Sequence, residues 1–397
     1  MVERSPTAEK QNVLLIYRRY ASSFTAYPWI LARGGRLCVD AITRSEHVIK
    51  YSRWINEHIA VERDEDFIPR LLETLAAKKY TAVLCVDEPS RTLLLDNREI
   101  PELLEYLPFQ PDSILNGVAV NKIDFQKWCE GLGIDCPRSV YLTNADEVAQ
   151  AAGQFSFPFI VKGALGAGGM CVDLVTNEND LKAVIEANAD RQGWILQEFV
   201  AGSVGTTGFV AGDQGLYAVC SVVNRICMGG GLGPSQIGQF WQDDHLREIA
   251  EKMTAIGGVR GLTGFDWILT PSGEYRVIDP HFGRAVPNMV VAHLDGIDLG
   301  EAYADLMTAQ PAELRKSRDS GACSSDSGAY WLFPQCLQMI FEGGLWHALK
   351  EYAPWKKNTH LFFAGKKEWR LFFMQSLEFL WGHTRVVLGG IRKRLRR

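Results

Sequence analysis

Several features that would place a protein in a special class are missing from this 397-residue chain. It has no run of about 18 uninterrupted apolar residues, which a membrane-spanning helix requires. Its first apolar run, 13–17, is too short for the core of a secretion signal. The nine cysteines show no Cys-x-x-Cys spacing, and most of them lie in apolar runs. We therefore expect a cytoplasmic protein with reduced, buried thiols, and a metal or redox role for the cysteines is the alternative.

Three recognisable sequence patterns are also absent. The first predicted strand, 12–17, is followed by Arg18-Arg19-Tyr20-Ala21 rather than by Gly-x-Gly-x-x-Gly, so the dinucleotide fingerprint is missing. The glycine-rich segment 163–169 lacks the Lys-Ser/Thr ending of a Walker A loop. No repeat with a period of 20–50 residues is visible, which excludes a solenoid or a propeller.

The composition that is present is that of an ordinary globular protein, with 47% hydrophobic and 22% charged residues. The length predicts two to four domains. Short apolar runs at 12–17, 36–42 and 81–88 alternate with a helical pattern at 66–80, which favours βαβ units and a parallel sheet. We divide the chain into five segments, which are 1–115 (a Rossmann-like domain), 116–200 (a small lobe), 201–312 (a large lobe), 313–330 (a Ser/Gly-rich linker) and 331–397 (a helical, basic tail).

Two clusters carry residue types suited to phosphate and metal chemistry. In the first, Lys162 ends a predicted strand and a glycine-rich loop follows it, so backbone N–H groups and an ammonium could meet an anion. A plain glycine-rich hairpin is the alternative. In the second, a predicted hairpin would bring Asp266 and Asp279 together, with His281 nearby, as oxygen and nitrogen ligands for a cation. Ordinary turn and strand-end carboxylates are the alternative there.

The order of these pieces resembles the ATP-grasp superfamily of carboxylate–amine ligases over roughly residues 10–310. The segments that carry the resemblance are Asn121-Lys122, Gly131–Pro137, Lys162 with Gly163–Gly169, Gln197–Gly202, the pair Asp266 and Asp279, Arg284–Asn288, and Asp295–Leu299. The resemblance implies a mixed α/β and α+β fold, with an ATP-grasp fold between the Rossmann-like domain and the tail.

The resemblance also implies ligands and roles. ATP would be held by Lys122, Lys162, Gly166, Gly168, Gly169, Gln197, Glu198 and Val200. Mg²⁺, or alternatively Mn²⁺, would be held by Asp266, Asp279 and His281. Arg225, Arg284 and His281 would act on the reacting groups. The implied reaction is ADP-forming activation of a carboxylate as an acyl phosphate, followed by attack of an amine to form an amide or peptide bond.

Two of the departures from the superfamily's usual pattern concern the predicted metal ligands. It usually has Glu where this chain has Asp279, and Asn where it has His281. An aspartate is one methylene shorter, and Mg²⁺ prefers oxygen to nitrogen ligands. His281 could therefore contact a metal-bound water or the amine. A non-catalytic nucleotide-binding regulator or scaffold is the alternative function, and a carboxylase-like or phosphotransferase reaction is an alternative within the fold.

The net charge of −5 conceals an asymmetry. Residues 356–397 carry a net charge of +9 and seven aromatic Phe or Trp residues, while the remainder carries −14. Three interpretations are open for this tail: a helix docked on the body, an interfacial helix at an anionic membrane surface, or a nucleic-acid contact. The acidic body disfavours nucleic acid. We thus expect small carboxylate and amine substrates, a cytoplasmic location with attachment at the inner face of the membrane as an option, and leave a homodimer open.

Overall fold

The structure is a computed structural model that describes most of the chain. The described residues are 10–19, 22–164, 172–188, 190–191, 193–227, 235–310, 314–315, 328–342, 344–356, 358–363 and 368–380. They form three β-sheets with helices packed against them. A mixed α/β architecture is therefore confirmed.

The N-terminal unit is built on a four-stranded sheet in which every pairing is parallel. Its elements are β1 (Gln11–Tyr17), α1 (Tyr27–Ala32), β2 (Leu37–Arg44), β3 (His58–Val61), α2 (Phe67–Ala77), β4 (Ala82–Cys85) and α3 (Glu88–Asp96), with 3₁₀ turns at Ser22–Ala26, Val48–Tyr51, Asp64–Asp66 and Pro101–Tyr106. The strand order is β3-β2-β1-β4. Parallel pairing is what alternating strands and helices predict. Strand β3 is not predicted from the sequence, because four residues give too short a periodic signal. The Rossmann-like assignment itself stays a prediction.

The carboxylate of Asp87 forms hydrogen bonds at the carboxyl ends of both β1 and β4. Asp87 caps α3 by accepting a 2.8 Å hydrogen bond from the backbone N–H of Ser90. Its other oxygen accepts hydrogen bonds from the backbone N–H groups of Arg18 (3.0 Å) and Arg19 (2.7 Å). The same side chain therefore starts the helix and closes the turn after β1, where a dinucleotide fingerprint would otherwise stand.

The small lobe is a four-stranded antiparallel sheet covered by two helices. Its elements are β5 (Ser139–Leu142), α6 (Ala145–Ala151), β6 (Phe159–Gly163), β7 (Val172–Val175), α7 (Glu178–Ala187) and β8 (Trp194–Glu198), with a 3₁₀ turn at Ala152–Gln154. The strand order is β5-β8-β6-β7. Asn144 and Asn177 cap α6 and α7 through their side-chain oxygens. The lobe has its own apolar core, in which Phe159, Trp194 and Leu196 are fully buried.

Two helices precede the small lobe, α4 (Leu115–Val120) and α5 (Lys122–Gly131). Asn121 caps α5, as its position before the helical pattern predicts. Phe125 of α5 packs edge-on against Phe282, with the ring centroids 5.6 Å apart, in the core of the large sheet. The predicted start of the small lobe at residue 116 stays a prediction. The apolar face of α5 is buried against the large sheet, so this helix packs with that sheet and not with the core of the small lobe.

The large sheet has seven strands in the order β13-β12-β9-β10-β11-β14-β15. Its strands are β9 (Ser203–Gly212), β10 (Gly215–Cys227), β11 (Ser235–Phe240), β12 (Gly261–Leu269), β13 (Tyr275–Pro280), β14 (Ala329–Leu332) and β15 (Thr359–Phe362). Its helices are α8 (Asp244–Ala255), α9 (Leu299–Met307), α10 (Gln338–Glu342), α11 (Leu345–Glu351) and α12 (369–380), with 3₁₀ helices at Pro287–Asp295 and Gln335–Leu337.

The N-terminal unit and the large sheet share one apolar core. Tyr27 of α1 donates a 2.6 Å hydrogen bond to the carbonyl of Val286, and Arg33 pairs with Asp298 at 2.8 Å. These contacts join residues more than 250 positions apart in sequence. Because burial of a common core favours one arrangement, the two parts hold their relative positions.

The C-terminal segment differs from the predicted helical tail. Two of its short apolar runs form β14 and β15, which pair in parallel at one edge of the large sheet. Aromatic side chains such as Tyr330 and Trp331 favour a buried strand over a helix, and both are buried here. No helix in the described part of the chain is both long and apolar enough to cross a membrane. Residues 381–397 lie outside the described part, so much of the predicted basic tail does too.

Helix α12 docks on the body by one side. Leu371 is fully buried in the shared core, and the guanidinium of Arg370 lies 4.6 Å from the ring centroid of Tyr51. Just before the helix, the carboxylate of Glu368 accepts hydrogen bonds from the Ser52 hydroxyl and from the backbone N–H of Arg53. Burial raises the pKa of Glu368 to about 7, against the opposing effect of these hydrogen bonds.

A pH-dependent contribution to stability follows from Glu368. The pKa of Glu368 is higher in the folded state than its value near 4.5 in the unfolded chain. Its contribution to the free energy of unfolding is therefore largest below pH 4.5 and is lost as the pH rises through about 7. We expect Glu368→Gln, which cannot ionise, to match the wild type at pH 5 and to unfold about 2 °C or more higher at pH 8. Thermal unfolding of both chains across this range checks it, and parallel profiles would contradict it.

Candidate active site

The hairpin of β12 and β13 places two carboxylates side by side. Asp266 and Asp279 are cross-strand partners in its antiparallel register, so the predicted proximity of the two side chains is confirmed. Directly opposed residues in such a pair have Cβ atoms about 5 Å apart on the same face of the sheet. A register shift follows immediately between Asp266 and Trp267.

Two lysines from different parts of the fold converge on Asp279. Lys122, the first residue of α5, places Nζ 3.1 Å from Oδ2, and Lys162, on β6, places Nζ 3.9 Å from Oδ1. The backbone N–H of Lys122 also donates a 3.1 Å hydrogen bond to the carbonyl of Ala164. This bond ties the start of α5 to the chain just after Lys162, so the two ammonium groups are held near each other.

The protonation equilibria of this trio reflect burial and mutual charge. Burial acts to raise the pKa of Asp279, but Lys122 and Lys162 outweigh it and hold the pKa below its usual range. Burial acts to lower the pKa of Lys122, and Asp279 more than offsets it, so that pKa is raised. Burial lowers the pKa of Lys162 to about 8, because Asp279 is farther from it and Lys122 repels its charge. Two ammonium groups therefore share one carboxylate, and the three side chains together are short of negative charge.

A second network begins at Asp266. Its Oδ1 atom accepts a 2.6 Å hydrogen bond from the hydroxyl of Thr206 and lies 2.9 Å from Nε2 of His281. Nη2 of Arg284 lies 2.5 Å from Nδ1 of the same ring. Since an arginine can only donate, Nδ1 accepts and Nε2 carries the proton that is donated to Asp266. Both nitrogens of His281 are thus engaged, and its predicted role as a metal ligand stays a prediction.

The two networks line a cavity of about 70 Å³ between the N-terminal unit and the large sheet. Its walls include two residues that the analysis of the sequence missed, Glu88 and Arg91 of α3. Arg91 is buried, lies 3.4 Å from Glu88 and donates a 3.2 Å hydrogen bond to the carbonyl of Phe282. Burial lowers the pKa of Arg91 to about 10, and the charge of Arg284 adds to this effect. The sequence signal that could have identified them as site residues is their position just after β4, because ligands bind at the carboxyl ends of parallel strands.

The donor set suits a hard divalent cation. No group of three or more His, Cys, Asp or Glu side chains in the described residues is arranged to hold a metal ion. Oδ1 of Asp279 is buried and has no hydrogen-bond partner, and Asp266 lies opposite it. Mg²⁺ is commonly held by one or two carboxylates together with waters and phosphate oxygens, so Asp266 and Asp279 fit this ion without a third protein ligand.

The remaining predicted site residues fall into three groups. Gly166, Gly168 and Gly169 lie outside the described residues. Gln197 and Glu198 end β8, where the Gln197 side chain donates a 2.9 Å hydrogen bond to Ser139 and Glu198 accepts a 2.8 Å hydrogen bond from the backbone of Arg138, and Val200 follows in the connection to β9.

Arg225 is a predicted site residue that lies apart from the cavity. It lies on β10, and its Nε atom donates a 2.9 Å hydrogen bond to Gln239 on β11. It is not among the residues that line the 70 Å³ cavity. Its predicted action on the reacting groups stays a prediction.

The segment that carries the paired carboxylates and the converging lysines also matches a known domain family. Residues 119–279 match the model of the ATP-grasp domain family. The predicted resemblance to the ATP-grasp superfamily is thus confirmed, and the matched part of the chain is an ATP-grasp domain.

Comparison with curated proteins gives distant relatives. The carbamoyl phosphate synthase large chain of Vibrio vulnificus is 22% identical over 273 residues, which cover 64% of this chain and 25% of that protein. The corresponding protein of Vibrio cholerae is 22% identical over 275 residues. This chain thus spans about a quarter of the length of these relatives.

Comparison with solved structures establishes the fold. An L-amino acid ligase from Bacillus licheniformis has a TM-score of 0.56 at 16% identity, covering 76% of this chain and 75% of that one. The N5-carboxyaminoimidazole synthetase of Staphylococcus aureus, complexed with ADP, has a TM-score of 0.60 at 13% identity over 78% and 81%. A biotin carboxylase from Campylobacter jejuni has a TM-score of 0.60 at 15% identity over 81% and 74%.

The lowered pKa of Lys162 gives a direct test of the site geometry. We expect its side chain to titrate near pH 8, and Asp279→Asn to lower that pKa further, because Asp279 is the neighbour that favours the charged form. NMR of chains labelled at lysine Cε measures this, and Lys162→Arg assigns the resonance. A Lys162 signal that titrates only above pH 10 would contradict the arrangement.

Proposed function

We propose that this protein is an ATP-dependent ligase that joins a carboxylate to an amine. The carboxylate oxygen attacks the γ-phosphorus of ATP, the bond between that phosphorus and the β,γ-bridging oxygen breaks, and ADP leaves. The amine then attacks the carbonyl carbon of the acyl phosphate, loses a proton, and releases phosphate. The observation that carries the proposal is the convergence of Lys122 and Lys162 on Asp279, opposite Asp266.

The lysines suit the phosphate part of this chemistry. Phosphoryl transfer needs positioning and charge neutralisation more than it needs a nucleophilic side chain. Lys122 and Lys162 supply two buried positive charges, of which Asp279 offsets one. When bound, Mg²⁺ would neutralise phosphate charge, and Asp266 and Asp279 are the residues that would hold it. Gln197, Glu198 and Val200, at the connection between the small and large lobes, are the proposed adenine contacts.

The arginines favour a small anion as the acceptor of the phosphoryl group. Arg91 and Arg284 line the same cavity, and both are buried. The Nε atom of each is buried without a hydrogen-bond partner. Burial of a cation whose N–H donors lack partners costs free energy unless a bound anion accepts hydrogen bonds from them. A carboxylate fits both this charge and the small volume.

The same geometry assigns His281 a supporting role. It receives a hydrogen bond from Arg284 and donates one to Asp266. It therefore orients two side chains at once: Arg284, which is proposed to bind the substrate, and Asp266, which is proposed to bind the metal. We propose that it is a positioning residue between the two networks.

Turnover of ATP tests the ligase proposal. We expect phosphate release by the full chain to require both a carboxylate and an amine, supplied as mixtures of amino acids and of sugar or lipid amines. Lys162→Ala and Asp266→Asn should each lower this rate by about a hundredfold or more, because each removes charge stabilisation at the transferring phosphate. The exposed Lys182→Ala and Asp146→Asn in the small lobe are matched controls.

Three outcomes bear on the alternatives. ATP binding without turnover under any substrate mixture would favour a non-catalytic nucleotide-binding regulator or scaffold. Turnover that requires bicarbonate in place of an organic carboxylate would favour a carboxylase-like reaction, as the biotin carboxylase neighbour makes reasonable. Full activity in both site variants would refute the site assignment.

Arg91 provides a test of the carboxylate site that is separate from ATP binding. We expect Arg91→Met to raise the KM for the carboxylate about tenfold or more and to leave the KM for ATP unchanged, because it removes one charged donor from the cavity. Arg91→Lys should restore part of the affinity. Arg63→Met, at an exposed ion pair of the N-terminal unit, is the control. An equal rise in both KM values would contradict this role.

A further inference from the structure

Helix α12 has an apolar face that the body does not cover. Trp369, Phe373, Leu377 and Leu380 are 78%, 61%, 45% and 42% exposed. Their spacing of four, four and three residues places them on one side of a helix with 3.6 residues per turn. We call these four residues the exposed stripe.

The rest of the helix explains why the stripe is fixed in place. Leu371 and Gln375 are fully buried, and Met374 packs against the shared core. Glu368 anchors the start of the helix to Ser52 and Arg53. The helix is therefore held by one side, and it presents its other side outward on a rigid support. Scattered exposed apolar residues need no explanation, but an aligned set on an anchored helix does.

The sequence beside the stripe is strongly basic. Residues 381–397 follow the helix directly and contain six Lys or Arg and no Asp or Glu. The remainder of the chain outside 356–397 has a net charge of −14, so the positive charge is concentrated in the sequence around and after the stripe. An apolar stripe with two aromatic residues beside clustered cations matches the boundary between lipid headgroups and acyl chains.

We propose that the exposed stripe of α12 docks this protein on the surface of an anionic lipid bilayer. The large apolar side chains of the stripe would enter the headgroup boundary while the basic segment 381–397 is attracted to the anionic headgroups. At about 18 Å in length, twelve residues of helix can lie at this boundary but cannot span the hydrocarbon core. This proposal is independent of the ligase chemistry.

Vesicle flotation with the full chain tests it. We expect the chain to float at low ionic strength with phosphatidylcholine vesicles that contain phosphatidylglycerol, and to remain below when the vesicles contain phosphatidylcholine alone. Added salt should reduce binding, because it screens the charge contribution. Phe373→Gln with Leu377→Gln should reduce binding about tenfold or more, because two apolar anchors are lost. Replacing Arg392, Lys393 and Arg394 with Gln should also reduce it.

A matched control isolates the position of the apolar groups from their number. Ile114 and Ile256 are both 71% exposed on the body, and Ile114→Gln with Ile256→Gln removes a similar exposed apolar area elsewhere. We expect this variant to bind vesicles as the wild type does. Thermal unfolding of all variants confirms that each is folded, since every replaced apolar side chain is exposed.

Four results would overturn the proposal. The first is a full chain that stays unbound to anionic vesicles at low salt. The second is undiminished binding by the Phe373→Gln, Leu377→Gln chain. The third is a wild type that self-associates by light scattering and is made monomeric by that change, which would assign the stripe to contact with a second copy. The fourth is displacement from the vesicles by nucleic acid with no effect of the stripe substitutions, which would assign the basic segment to that polymer.

Discussion

The carboxylate of Asp279 is the constraint on which the site depends. Two ammonium groups, from Lys122 and Lys162, lie beside it, and without an anion there they would repel each other in a poorly solvated place. The three side chains come from α5, β6 and β13. Helix α5 and β13 share a core, whereas β6 belongs to the separately packed small lobe. The ion pairs therefore link two independently packed parts at the proposed phosphate site.

The N-terminal unit contributes more than support for the large sheet. Its core is continuous with that sheet, so α3 is held against the strand pair that carries the carboxylates. This places Arg91 opposite Arg284 in one cavity. The departure at His281 from the superfamily's usual Asn also acquires a physical meaning. The imidazole of His281 accepts a hydrogen bond from Arg284 and donates one to Asp266, which couples the proposed anion-binding side of the cavity to the proposed metal side.

The charge asymmetry of the chain has a structural counterpart. The C-terminal segment is tied into the body through β14, β15 and the buried side of α12. The basic residues therefore follow a helix that is anchored on an acidic protein. Docking on the body and presentation of an apolar face are compatible, because a helix has two sides and only one is used here. The interpretations of the tail as a body-docked helix and as an interfacial helix are in this sense not exclusive.

Several local elements and the order of the motifs were determined by the sequence alone. Asn121 before a helical pattern, Lys162 at the end of an apolar strand, and two aspartates on either side of a Pro-Ser-Gly turn are local signals, and each lies where it was predicted. The tertiary structure decided which charges meet. Burial of Arg91, the hydrogen bonds of His281 and the separation of Arg225 from the cavity arise from contacts between residues distant in sequence. Periodicity carries no information about such contacts, because they depend on how whole elements pack.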